Sequence, residues 1–438
     1  MIVHGNPPRV GIVGAGITGL ALSYHLDERG IDHVVLEAGD EPGGIIRSST
    51  VDGNVLEHGP QRARLTGPIE ALVDELDLHD ATVTADPALP MFVYANGSLG
   101  TVPFSITKFF TTDLLSWRGK LRLLAEPLTS QGREDEMAAE LFTRKFGEEA
   151  YRNFIGPLFG GIYGSDPAEM PAGYAPSPIL KLERRSGSLL RPALETALEN
   201  ERNPPLTFEE GLQQLPRAIA REVDEYVHYE RPVQGVQETA EGYVIETEAG
   251  DEFVDRVVIT TPADVSADLL EDLAPDAAER LDRLNYNPLA VVHLYAETDH
   301  EGFGYQVRRD EGLHTLGVSW NGKLFDRDGV YTAFLGGMDE PELLEEDDET
   351  LGRIATGEFE DVMGEPAEVI NITRLDRGFP AWDRSWAATD DLEFPDGIRL
   401  ATNYTARMGI PSRLREARQL AETFAEERAK RPETAPSA

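Results

Sequence analysis

Apolar positions set the first reading of this chain. Val10, Ile12 and Val13 form a short apolar run that stops at glycine. Residues 17–27 then place apolar side chains at helical spacing, and Val34, Val35 and Leu36 form a second short run. The pattern predicts strand, turn, helix, strand. A helix is predicted over 68–78, and a hairpin around Asn96-Gly97. Three stretches, LLSWRGKLRLLAEPL, EDEMAAELFTRKFG and EEAYRNFIGPLF, carry a helical apolar period until Asn203-Pro204-Pro205 breaks it. Beyond Thr207 the chain alternates like strands, with a turn at Ala249-Gly250 and a strand ending in VVITTPA. Residues 290–345 alternate again, 349–363 read as a helix, and the last ordered segment reads as strand, turn, helix. The polar tail 431–438 is expected to be disordered.

The first turn carries chemistry. Gly14, Gly16 and Gly19 fill the G-x-G-x-x-G pattern, with Ala15, Ile17 and Thr18 between them. The first glycine permits the tight turn, the second lets a pyrophosphate approach the backbone, and the third lets the helix pack close to the sheet. The helix start offers free N–H groups and a positive dipole end to phosphates. Glu37, followed by Ala38, ends the second strand. Its carboxylate can accept both ribose hydroxyls and would repel a 2′-phosphate. These residues predict a dinucleotide site that disfavours NADP.

Composition narrows the classes. A chain of 438 residues exceeds one core, so two or three domains are expected. No apolar run is long enough for a membrane helix and no leader pattern opens the chain, so the default expectation is cytoplasmic. The net charge of −39, spread along the chain, argues against nucleic acid. Only six of the 40 bases are Lys. That balance reads as a surface adapted to molar salt, where the Debye length is about 3 Å and acidic self-repulsion is screened. With no Cys, a disulfide, thiol catalysis and a cysteinyl cofactor link are excluded, and the nine scattered His form no metal-ligand spacing.

Gly43-Gly44 and Arg47 follow the ribose acid, and Glu57-His58-Gly59-Pro60 follows them. This arrangement resembles the flavin monoamine oxidase superfamily. EHGPQRARLTG, FVYANGSLGTVP, ELFTRKFGEEAYRNFIGPLFGGIYGSDPAEM and GYQVRRDEGLHTLGVSWNGKLFDRD are similar to the protoporphyrinogen and coproporphyrinogen oxidases within it. The resemblance implies an α/β (α+β) fold in three parts: a discontinuous Rossmann-type FAD domain (1–89, 206–285 and 386–430), a mainly helical, membrane-proximal domain (90–205) and a mixed-sheet substrate domain (286–385). It implies non-covalent FAD held by the first turn, Glu37, Ala38, Gly43, Gly44, Arg47, His58, Gly59 and Pro60. Val233, Thr261, Asn403, Gly409 and Ile410 complete that set. It implies hydride transfer from a tetrapyrrole substrate to the flavin, reoxidised by dioxygen or another acceptor, with no side chain assigned as catalyst. Substrate contacts are expected from Arg62, Arg64, Met91, Gly161, Tyr305 and Arg308.

The chain departs from the family at several points. Thr402 and Arg407 stand where glycines are usual in the closing turn, and Glu210 replaces the first of a glycine pair at Gly211. Met91 stands where an Arg often pairs with a substrate propionate, leaving Arg62, Arg64, Arg308 or Arg309 to substitute. Lys108, Arg118, Lys120 and Arg122 form a local basic cluster that could give weak peripheral membrane contact; a solvated helix face is the commoner role. Two other functions remain open: another oxidase or a polyprenoid desaturase of the same superfamily, and a non-catalytic dinucleotide binder.

Overall fold

The structure is a computed structural model that describes residues 9–192, 203–298, 300–405 and 408–430. Arg407 and the tail 431–438 lie outside the described residues. β1 (Val10–Val13), α1 (Ile17–Asp27) and β2 (His33–Leu36) form the predicted opening unit. Their sheet has five strands in the order Val227–His228, β2, β1, Arg256–Ile259 and Ile398–Leu400, all parallel. Every residue of β1 and β2 is buried, as strands covered on both faces require. Thus three stretches far apart in sequence build one sheet. The closing helix Ile410–Lys430 packs against α1.

A second sheet has seven strands, in the order Glu368–Pro380, Tyr286–Tyr295, Val330–Gly336, Thr315–Ser319, Gly304–Val307, Phe92–Ala95 and Ser98–Thr101. The hairpin at 92–101 therefore belongs to this sheet, although the reading of the sequence put it at the head of the helical segment. Phe92–Ala95 adds in parallel to Gly304–Val307, a pairing that local pattern cannot show. The helical segment follows, with Trp117–Leu124, Ala138–Phe146, Gly156–Tyr163 and Ser177–Ser186. At its core the Lys145 ammonium, 1% exposed, lies 2.7 Å from the Glu126 carboxylate and also meets Glu183.

The two halves meet at another buried charge. Glu57, 1% exposed, ends the strand Asn54–Glu57 and turns its carboxylate inward. It accepts hydrogen bonds from Ser48 Oγ at 2.6 Å, Thr207 Oγ1 at 2.9 Å and the Leu212 N–H at 3.0 Å. From the sheet half, Arg327 donates through Nη2 at 3.0 Å. A charge this deep is tolerated only when paired and hydrogen-bonded, and this one is both.

Candidate functional site

The glycines of the first turn are dictated by geometry. Gly14 has φ +105°, where a side chain is strained, and a Cβ on Gly19 would sit 2.0 Å from the Gly14 carbonyl oxygen. Gly16 differs: nothing lies within 4 Å of where its Cβ would be. It begins α1 without any side-chain cap, so the first-turn N–H groups face open space. The Gly43 N–H donates to the Ala15 carbonyl at 2.9 Å, which lays the second glycine pair beside the first turn. The site is therefore a cradle of bare backbone at a helix N-terminus, the arrangement that receives phosphate.

Glu37 stands at the end of β2. Its Oε2 accepts the Ala15 N–H at 2.6 Å and its Oε1 the Gly39 N–H at 2.8 Å. Each oxygen keeps acceptor capacity for a ribose hydroxyl. Arg47 pairs with Glu41 at 2.6 Å. Both ring nitrogens of His58 are engaged, Nε2 with Ser49 Oγ at 2.6 Å and Nδ1 with Thr373 Oγ1 at 2.7 Å. Burial, then the nearby Arg47, holds its pKa below the usual histidine range. His58 thus bridges the hairpin Ser48–Glu57 to the strand Glu368–Pro380, and its ring is committed there. Gly59 has no room for a side chain, since a Cβ would lie 2.0 Å from the Ile45 carbonyl oxygen. Val233 packs against the core that includes Ile259 and Tyr404.

The closing turn explains one departure from the family pattern. Thr402 is buried, and its Oγ1 accepts the Thr405 N–H at 3.2 Å, so a side chain supplies the turn's hydrogen bond. Tyr404 anchors the turn by donating to Ser266 Oγ at 2.7 Å, beside Thr261. Asn403 sits between them, and Gly409 and Ile410 open the closing helix at the rim of a large cavity.

That cavity measures about 1440 Å³. Typical ligand pockets run from about 300 to 1,000 Å³, so it has room for more than one small molecule. Pro60, Arg62 and Arg64 line one part, Tyr163, Tyr174 and Lys181 of the helical segment another, and Phe379, Trp382 and Trp386 a third. Trp382 and Trp386 stack face to face, with ring centroids 3.6 Å apart, and Tyr163 meets Trp382 edge-on at 5.5 Å. Arg62 donates to Ser319 Oγ at 2.7 Å and lies over the Phe303 ring. Among the described residues no carboxylate pairs with it. Enclosure, with Arg64 beside it, lowers its pKa to about 10, so it stays charged at neutral pH.

Of the six expected substrate contacts, only Arg62 and Arg64 line this cavity. Met91 packs between two apolar clusters. A Cβ on Gly161 would collide with Gln306, so that glycine serves helix-to-sheet packing. Tyr305 is 1% exposed in the sheet core. Arg308 is spent on Asn96, Asn153, Asp310 and Glu311, and Arg309 on Asp166 and Asp339. Strand alternation marked the right sheet and could not say which face met the cavity. Tyr163, Tyr174, Lys181, Trp382 and Trp386 were missed; of these, Tyr163 lies in a stretch the sequence singled out, 140–170.

The model of the family described as flavin containing amine oxidoreductase matches residues 17–419. A chloroplastic protoporphyrinogen oxidase 1 from Spinacia oleracea is 30% identical over 352 residues, covering 72% of this chain. The match spans 63% of that protein's length, a little under two thirds. A coproporphyrinogen III oxidase from Staphylococcus aureus is 28% identical, covering 72% of this chain and 74% of its own. A crystal structure from Exiguobacterium sp. 255-15 shares the fold at TM-score 0.82 and 23% identity, covering 97% of this chain and 100% of that one.

Gly16→Val tests the cradle. Open space surrounds the position, so the variant should fold and melt within a few degrees of wild type while flavin retention falls at least tenfold. Normal flavin content in a folded variant would place the phosphates elsewhere.

Proposed function

Because the chain belongs to the family of flavin-containing amine oxidoreductases, we propose that it is an FAD-dependent oxidase that removes hydride from a porphyrinogen, with dioxygen as the terminal acceptor. FAD fits the residues present. The bare first turn of α1 and the adjoining Gly43-Gly44 would hold its pyrophosphate, and Glu37 its ribose. The start of the closing helix, at Gly409 and Ile410, lines the large cavity. The absence of Cys makes the association non-covalent at least with respect to thiols. Bound there, FAD would supply the two-electron acceptor that no side chain can provide.

The protein's own contribution is enclosure and orientation. Phe379, Trp382 and Trp386 exclude water from the reacting face. The one observation that carries the porphyrinogen reading is Arg62. It is a charged guanidinium in the cavity wall with no acidic partner among the described residues, and it fits a substrate carboxylate. An amine oxidase would have no use for an unpaired cation facing its cationic substrate. We also read the acidic surface as an adaptation to high salt.

A second surface supports lipid contact. Among the described residues no helix is long and apolar enough to cross a membrane. Yet Trp117, Leu121 and Leu128 are 68%, 67% and 89% exposed, with Phe104, Ile106, Phe110 and Leu124 also exposed nearby. Trp117, Leu121 and Leu124 lie on one stripe of their helix, so its apolar face points outward. The basic cluster is less available than its sequence implied. Lys120 Nζ is turned inward to the Phe110 and Thr112 carbonyls, and Arg122 to those of Arg144 and Lys145. Hydrophobic contact, with Arg118 at the headgroups, is the interaction this face offers.

Purified protein should oxidise coproporphyrinogen III or protoporphyrinogen IX, and Arg62→Ala should raise KM at least tenfold. A charge-assisted hydrogen bond of about 1.5–3 kcal/mol sets that scale. Turnover of putrescine with none of either porphyrinogen would overturn the reading in favour of an amine oxidase. In flotation with phosphatidylglycerol vesicles, wild type should rise with the lipid and the Trp117→Ser/Leu121→Ser variant should not. Equal behaviour of the two would refute lipid contact.

A further inference from the structure

The cavity wall carries a charge opposite to that of the molecule. Acids outnumber bases 79 to 40 along the chain. Among the cavity-lining residues the order reverses, with Arg62, Arg64, Lys181 and Arg399 against Asp390 and Asp391. Asp390 is further occupied, accepting the Tyr174 hydroxyl at 2.7 Å. Lys181 is the notable member. The chain holds only six Lys, two of which, Lys120 and Lys145, are buried and committed to internal partners. Lys181 makes no hydrogen bond or ion pair among the described residues, and it stands on the helix Ser177–Ser186. On the same helix Arg184 behaves differently, pairing with Glu134 at 2.7 Å.

Arg62 and Lys181 come from different walls. Arg62 is fixed by Ser319 and Phe303 of the sheet half, whereas Lys181 rides on the helical segment. A substrate with its carboxylates along a single edge can satisfy one wall. A substrate with carboxylates on every ring of the macrocycle can satisfy both. We propose that Lys181 is a specificity-determining residue that selects a tetracarboxylate porphyrinogen, of the coproporphyrinogen type, over a dicarboxylate one. The inference rests on the porphyrinogen reading above and narrows it. Lys181 is solvent-accessible, so its contribution is that of an exposed ion pair and its effect is modest. Discrimination then comes from the number of charges met and weakens as salt is added.

The test compares wild type, Lys181→Met and Lys181→Arg with coproporphyrinogen III and protoporphyrinogen IX at the lowest salt that keeps the protein folded. Binding of coproporphyrin III, followed by its fluorescence, is measured alongside on the same flavin-loaded proteins. Wild type should prefer the tetracarboxylate. Lys181→Met should raise its KM about threefold to fivefold, weaken coproporphyrin binding by a similar factor, leave kcat in place and leave the KM for protoporphyrinogen unchanged. Lys181→Arg should restore the wild-type values. A wild-type preference for protoporphyrinogen, or a Lys181→Met effect that is absent or equal for both substrates, would overturn the proposal while the oxidase reading stands. Turnover of neither porphyrinogen would remove both.

Discussion

The buried Glu57 carboxylate is the constraint on which the rest of the structure depends. It sits in the last residue of a strand, immediately before the His58-Gly59-Pro60 turn that enters the cavity. Four segments converge on it: Ser48, Thr207, Leu212 and Arg327. The Glu57 carbonyl accepts from His293 Nε2 at 3.0 Å and from Gln61 Nε2 at 2.8 Å, and Gln61 in turn receives Asn321 Nδ2 at 2.7 Å. Beside it, burial pushes the His293 pKa down to about 4, so that ring is neutral and adds no competing charge. The turn that carries Arg62 is therefore tied to the sheet half at three points, through Arg327, Asn321 and Ser319. These ties fix the backbone at the cavity wall, and rigid support of this kind is what keeps a binding site precise.

How much of this was legible in the sequence followed physical range. The dinucleotide turn is local. Gly14, Gly16, Gly19 and Glu37 stand within one strand-helix-strand unit, so spacing alone predicted its local geometry. Non-local features were not visible. The hairpin at 92–101 joins a strand more than 200 residues away, and no periodicity announces that pairing. Glu57 could be read only as part of a turn near the cofactor, because the partners that draw its carboxylate inward lie at 207, 212 and 327. Arg308 looked available because its partners Asn96 and Asn153 come from other elements. Likewise the basic look of 108–122 was reduced by half once Lys120 and Arg122 turned to backbone carbonyls.

Charge is partitioned with a purpose. The chain as a whole carries excess acid, two buried lysines serve the fold, and the cavity lining holds four cations against two acids. Arg62 donates to Ser319 Oγ and lines the cavity with no carboxylate paired to it among the described residues. The stacked rings of Trp382 and Trp386 give the same cavity an apolar stretch of wall.

A double-mutant cycle on Glu57 and Arg327, read by denaturant unfolding and by bound flavin, tests the central claim that this ion pair holds the two halves in register. Glu57→Gln and Arg327→Met should each cost about 3–5 kcal/mol and lower flavin retention, since each strands a buried partner. Combined, they should cost clearly less than the sum, with a coupling of at least about 1 kcal/mol. Single variants that lose under about 1 kcal/mol, keep full flavin and combine additively would contradict the account.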